Sequence, residues 1–210
     1  QQCPNLKLIL ISATGTNNID LIQARAQGIV VCNCQGYGTS AVAQHTLTLM
    51  LALATSLLQY DRAVQQGQWN KSPIFCLLDF PIVELEGKTL GIWGYGKIGQ
   101  LVAGYGKAFG MNILVWGREA SREKAQTDGL AVALSKEDFF SRCDILSLHL
   151  RLNDETKHIV KLDDLSKMKP TSLLVNTSRA ELIEPEALIA ALNRGRPGLA
   201  AVDVFESEPI

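Results

Sequence analysis

The sequence predicts an α/β fold organised on a doubly wound parallel sheet, and three observations lead there. A short apolar run, Leu90–Trp93, opens directly into Gly94-Tyr95-Gly96-Lys97-Ile98-Gly99 and then into an amphipathic stretch, so strand, glycine-rich turn and helix follow without a gap. From Lys88 to Val204, apolar strands alternate with helical segments, the pattern of a parallel sheet covered on both faces. The 210 residues are 47% hydrophobic and 20% charged, ordinary for a folded α/β chain that buries a sizeable core. Together these describe a Rossmann-type sheet.

Ahead of the glycine turn, Leu6–Ser12 reads as a strand and residues 13–18 as a loop of turn formers. Ile19–Gln27 reads as a short helix ended by Gly28, and Ile29–Asn33 as a second strand. A glycine-containing loop at 35–39 leads, with Thr39 or Ser40 as cap, into the longest helical pattern, residues 41–66. That stretch is apolar on nearly all sides, as in a helix buried between domains or subunits. Gln44, His45, Thr46, Thr48, Thr55 and Ser56 interrupt it, which argues against a membrane span. His45 reads as a satisfied interface histidine. Residues 67–87, carrying Gly67, Trp69, Pro73 and Pro81, read as an irregular connection.

Beyond Lys88 the predicted series is strand 89–93, helix 97–109, strand Asn112–Trp116, helix Ser121–Asp128 and strand Leu130–Ala133. Helix Lys136–Ser141, strand Asp144–His149, helix Asp163–Met168 and strand Leu173–Asn176 continue it. Helix Pro185–Arg194, with proline near its first turn, and strand Leu199–Val204 end it. Right-handed crossovers wind such a series into one sheet, and ligand groups gather at its strand carboxyl ends. Those ends carry Gly94–Gly99, Gly117–Arg118, His149, Thr177–Arg179 and Asp203.

The chemistry of the first of these ends is specific. Gly94 permits a tight turn, Gly96 lets a pyrophosphate approach the backbone, and Gly99 lets helix and strand pack closely. Lys97 and Ile98 open the helix whose free N–H groups and positive dipole end favour phosphate. A dinucleotide site is therefore expected here. In the NAD version an acidic residue about 20 positions further on binds the ribose 2′-OH. Gly117 stands at that place with Arg118 beside it, which removes a repulsive carboxylate and offers a bidentate cation. The expectation is NADP(H) over NAD(H), with Ser121 and Arg122 near enough to add contacts. The alternative is a surface Arg118, with Glu119 taking the acidic role.

The net charge of −1 gives no electrostatic case for nucleic acid or an anionic membrane. Cys32 and Cys34 form a C-x-C without a matching second pair, so no metal site is expected. Five cysteines at scattered positions read as reduced thiols of a cytoplasmic protein.

Several further stretches fall in a definite order around the turn: Ala13-Thr14-Gly15-Thr16-Asn17-Asn18-Ile19-Asp20-Leu21 before it; then Ser147-Leu148-His149, Met168-Lys169-Pro170, Val175-Asn176-Thr177-Ser178-Arg179 and Ala201-Val202-Asp203-Val204-Phe205-Glu206-Ser207-Glu208-Pro209. In this order they resemble the D-isomer-specific 2-hydroxyacid dehydrogenases, over essentially the whole chain. The resemblance implies a two-domain enzyme: residues 1–38 as the last part of a substrate domain, 39–87 as the interdomain and dimer-contact helix with its connection, and 88–210 as the cofactor domain. It implies hydride transfer between nicotinamide C4 and the carbonyl carbon of a small 2-oxo acid, such as hydroxypyruvate, in a homodimer.

The resemblance also implies residue roles. Arg179 holds the substrate carboxylate and polarises its carbonyl, a task suited to a permanently charged, planar donor. Glu208 supports an acid–base histidine, and the Thr14–Gly15 loop offers backbone N–H groups to the carboxylate. Asp203 contacts the nicotinamide carboxamide, while His149 and Thr177 line the cofactor. His45, His149 and His158 do not fit the Pro-His context of the family's proton donor, so these 210 residues are expected to bind cofactor but turn over poorly or not at all, as part of a longer protein. Ala180-Glu181 and Arg151 depart from the family pattern around the substrate pocket. Residues 75–81 look like the glycerate dehydrogenase branch, and the later motifs like a less defined one. The competing readings are a dinucleotide-binding, dimerising sensor or corepressor-like module and an adenosylhomocysteinase-type enzyme. The retention of both Arg179 and Glu208 favours the dehydrogenase.

Overall fold

The computed structural model describes residues 3–209. Strands β1 (Leu8–Ile11) and β2 (Val30–Asn33) pair in parallel, with α1 (Leu21–Ala26) as their crossover. Asp20 caps α1 by accepting a hydrogen bond from the Gln23 N–H at 2.8 Å. Helices α2 (Thr39–Ala54), α3 (Leu57–Gln65) and α4 (Gln68–Lys71) follow. The main sheet and its helices come next: β3 (Thr89–Trp93), α5 (Lys97–Ala108), β4 (Asn112–Trp116), α6 (Glu119–Thr127), β5 (Ala131–Val132), α7 (Lys136–Arg142) and β6 (Ile145–Leu148). Helix α8 (Leu162–Ser166), β7 (Leu173–Asn176), a 3₁₀ turn at Ala180–Leu182, α9 (Ala187–Asn193) and β8 (Leu199–Val202) complete the series.

Six parallel strands form one sheet in the order β5-β4-β3-β6-β7-β8. The order reverses between β3 and β6, which puts the crevice of a doubly wound sheet at their carboxyl ends. The predicted Rossmann-type architecture is the one observed. One face of the sheet packs Leu90, Ile92 and Val115 against Met50 of α2, Val102 of α5 and Ala125 of α6. The other packs Trp93, Leu146 and Leu174 against Phe139 and Phe140 of α7 and Leu165 of α8. Trp93 meets Phe139 and Phe140 edge-on, at 6.0 and 5.7 Å between centroids. Both faces of β6 and β7 are therefore covered, as their uninterrupted apolar runs require.

The continuous helix expected over 41–66 is corrected. It starts at Thr39 and breaks after Ala54, and α2 and α3 diverge by 60°. Ser56 adopts a left-handed conformation, φ 50°. Its hydroxyl donates to Pro81 O at 2.6 Å, and the Thr55 hydroxyl bonds back to Leu51 O at 2.7 Å, so side chains draw the backbone out of the helix. The helix is also not buried all round: Ala43, Thr46, Met50 and Ala54 are buried, while Gln44, His45 and Thr48 are exposed. No single helix among the described residues is long and apolar enough to cross a membrane. The irregular connection at 67–87 contains the short helix α4, and Tyr60 pins it by donating to Phe80 O at 2.8 Å. Strands predicted at 6–12, 130–133 and 199–204 are shorter at their ends, and α6 begins two residues before Ser121.

Candidate active site

The carboxyl ends of the strands are knitted together by their own loops. Gly94 N–H donates to Trp116 O at 3.0 Å, His149 N–H to Trp93 O at 2.8 Å, and Asp203 N–H to Asn176 O at 3.0 Å. The Ser178 hydroxyl adds a bond to Leu148 O at 2.7 Å. This fixes the loops of β3, β4, β6, β7 and β8 as one platform.

Gly94 has φ 101°, a conformation that disfavours any side chain, and a Cβ there would lie 2.5 Å from His149 O. A Cβ on Gly99 would strike Gly94 O, so the first turn of α5 sits directly on the strand end. Gly96 is the opposite case: a Cβ there would meet nothing within 4 Å. The turn thus leaves an open cradle at Gly96, beside the N-terminus of α5, which no side chain caps. Lys97 is exposed there, while Ile98 turns inward onto the core. Backbone N–H groups, a dipole end and bare space are what a pyrophosphate needs, and these residues fit one. Tyr95 anchors the turn from below: its hydroxyl donates to Asp128 at 3.0 Å, and burial, helped by that carboxylate, pushes its pKa up to about 12.

At the end of β4, Gly117 places no carboxylate toward the crevice, and Ser121 closes on it. Arg118 is exposed and pairs with Glu155 at 2.8 Å. Arg122 lies over the Trp116 ring at 5.3 Å, and its buried Nε has no hydrogen-bond partner among the described residues.

His149 is held differently from a surface histidine. Its Nε2 lies 2.9 Å from Ser147 Oγ, and its buried Nδ1 has no hydrogen-bond partner among the described residues. Burial pulls its pKa down to about 4, so the ring is neutral near pH 7. Thr177 binds helix α2 rather than standing free. Thr46 already donates to Val42 O at 2.8 Å, so the 2.9 Å contact between the two hydroxyls takes its proton from Thr177.

Asn176, the last residue of β7, sets up Arg179. Its amide donates to Arg179 O at 2.8 Å and accepts from Ser178 N–H at 3.0 Å, closing a tight turn. The guanidinium then points at the loop after β1: Arg179 Nη2 lies 3.4 Å from Asn17 Oδ1, and a Cβ on Gly15 would collide with it. Thr14 and Asn33 brace that loop, Thr14 by donating to Cys34 O at 3.0 Å and Asn33 by donating to Thr14 O at 2.7 Å. Two predicted substrate contacts, far apart in sequence, are thus brought together.

Asp203 is exposed and faces His45 of α2 at 3.3 Å. Glu208 turns back on its own loop, accepting from Phe205 N–H at 3.0 Å. Neither forms an ion pair with Arg179 among the described residues. Residues that sequence reasoning left without a role include Asn176 and Glu155. The asparagine two residues before Ser178 is a turn signal that could have been read; nothing in sequence linked Arg118 to a residue 37 positions away.

A six-stranded parallel sheet with an open glycine cradle at its switch point defines a dinucleotide-binding protein. Residues 47–210 match the family model described as D-isomer specific 2-hydroxyacid dehydrogenase, NAD binding domain. The chain belongs to that family. It is 39% identical to a glycerate dehydrogenase of Methylorubrum extorquens, with 100% of this chain aligned to 64% of that protein. It is 42% identical to a glyoxylate reductase of Aeropyrum pernix, with 100% of this chain aligned to 62% of that protein. The structure of a phosphoglycerate oxidoreductase from Vibrio cholerae superposes with a TM-score of 0.85 at 46% identity, over 99% of this chain and 64% of that one. The chain thus spans less than two thirds of the length of these relatives. These relatives carry the names of a dehydrogenase, a reductase and an oxidoreductase, which does not favour the sensor alternative.

Proposed function

We propose that this chain carries the cofactor site and one wall of the substrate site of an oxidoreductase acting on a small 2-oxo or 2-hydroxy acid, with hydroxypyruvate and D-glycerate as the pair to test first. The observation that carries this reading is the convergence of Arg179 on the Thr14–Gly15 loop beside the platform of strand ends. When bound, the dinucleotide supplies or accepts a hydride at nicotinamide C4. Arg179 binds the substrate carboxylate through one edge of its guanidinium and draws electron density from the carbonyl oxygen as hydride arrives. The backbone N–H groups of Thr14 and Gly15 take up the remaining carboxylate lone pairs. Asp203 orients the carboxamide, with His45 holding its carboxylate, while Thr177 and the neutral His149 form the floor. Glu208 polarises the group that delivers the proton to the carbonyl oxygen.

The same reading assigns residues 1–38 to a substrate domain, 39–87 to the interdomain region and 88–210 to the cofactor domain. It takes the protein as a homodimer. Its support is the apolar surface on α3 and the segment after it, where Leu58, Trp69, Phe75 and Leu78 are exposed. NADP(H) is the proposed preferred cofactor, because Gly117 offers no carboxylate to repel a 2′-phosphate and Arg118 stands next to it.

Arg179→Ala is the test. Calorimetry on the NAD⁺-loaded chain is expected to show hydroxypyruvate binding weakened about 10- to 100-fold, the worth of a charge-assisted bidentate contact, with NAD⁺ affinity changed less than about twofold. Equal hydroxypyruvate binding by the variant would remove Arg179 from the site.

A further inference from the structure

Arg118 follows the carboxyl end of β4, and Glu155 stands in the loop beyond β6. Strand β3 lies between these two strands in the sheet. The 2.8 Å ion pair between Arg118 Nη2 and Glu155 Oε2 therefore reaches across the loop that β3 feeds, from one bank of the cofactor crevice to the other. The bank that carries Glu155 is rigid. Asn153 Oδ1 accepts from the N–H groups of Glu155 and Thr156, both at 3.0 Å. Thr156, buried, donates to Arg151 O at 2.6 Å. The backbone of Glu155 is thus fixed, and its carboxylate makes no other hydrogen bond among the described residues. With relative side-chain exposures of 68% and 78%, the two partners form a bridge that solvent or a ligand can open.

We propose that Glu155 is a specificity-determining residue: its carboxylate competes with a cofactor 2′-phosphate for the Arg118 guanidinium. This rests on the assignment of Arg118 to the 2′-phosphate made above, and it adds the group that opposes it. A dianionic phosphate must displace Glu155 and then sit near its charge; a 2′-hydroxyl does neither. The carboxylate therefore lowers the preference for the phosphorylated cofactor that Gly117 and Arg118 alone would give.

The test uses the full chain, with adenosine 2′,5′-bisphosphate, 5′-AMP, NADPH and NADH as probes and calorimetric affinity as readout. Glu155→Gln is expected to tighten the bisphosphate and NADPH about two- to fivefold, the scale of an exposed ion pair, and to leave 5′-AMP and NADH roughly unchanged. In an Arg118→Ala background the same substitution is expected to have a smaller effect, because the competition is gone and only the direct repulsion between carboxylate and phosphate remains. If Glu155→Gln weakens or does not change bisphosphate binding while Arg118→Ala still weakens it, Glu155 does not compete and the proposal falls, with the Arg118 assignment intact. If Arg118→Ala itself leaves bisphosphate affinity unchanged, the Arg118 assignment falls and takes the proposal with it.

Discussion

Strands β1 and β2 read Leu-Ile-Leu-Ile and Val-Val-Cys-Asn; β6 and β7 read Ile-Leu-Ser-Leu and Leu-Leu-Val-Asn. By composition the pairs are interchangeable, yet in the structure they differ completely. Every residue of β6 and β7 is buried, and none of β1 or β2 is. The cause is coverage. The main sheet carries helices on both faces, whereas among the described residues the two-stranded sheet has one short helix that buries only Ala24. An apolar tetrapeptide specifies a strand; what lies above and below it decides how much that strand contributes to stability. Within the described residues, buried apolar surface is therefore concentrated in the sheet that carries the cofactor cradle.

Truncating a core aromatic should show the difference at its largest. Phe140→Ala is expected to lower unfolding free energy by about 3–5 kcal/mol in urea titrations, because it removes a fully buried ring from the Trp93–Phe139–Phe140 cluster. Next comes acid sensitivity. His149 has a native pKa depressed to about 4, so the unfolded chain binds the extra proton first. Its contribution is whole above the unfolded value of about 6.5 and is lost as pH falls toward 4, on the order of 3 kcal/mol in all. A His149→Gln variant should lose that part of the pH dependence; an unchanged acid limb would mean that the ring is not buried neutral. Tyr95→Phe removes one hydrogen bond under the glycine turn and is expected to cost about 1 kcal/mol. Smallest of all, Leu10→Ala on exposed β1 is expected to stay within about 0.5 kcal/mol of the parent. Equal losses for Leu10→Ala and Phe140→Ala would break the contrast between the two sheets.

The main sheet was readable because its signals are local. Leu90–Trp93 running into the glycines, and each later apolar run with its turn, place strands to within a residue or two. The break at Ser56 was not, because its cause lies 25 residues away at Pro81. Candidate site residues divide in the same way. Gly94, Gly96 and Gly99 declare themselves by spacing, and Arg179 by its position after a strand. The Thr46–Thr177 contact and the Arg118–Glu155 bridge join residues 131 and 37 apart; the packing of α2 against β7 makes the first and the strand order the second. Asp203 and Glu208 were singled out by resemblance; their partners here, His45 and the Phe205 N–H, follow from the conformation of the last loop.

The central claim is that the turn at 94–99 is a built dinucleotide cradle, and Gly96 tests it most directly. Its φ of −82° suits any residue and a Cβ there meets open space, so Gly96→Val should fold with unchanged stability while filling the cradle. Calorimetric titration of NADH and NADPH into the parent chain and this variant is the measurement. One binding event is expected in the parent, weakened at least about tenfold in a variant with the same urea midpoint. Equal cofactor affinity in the two proteins would contradict it.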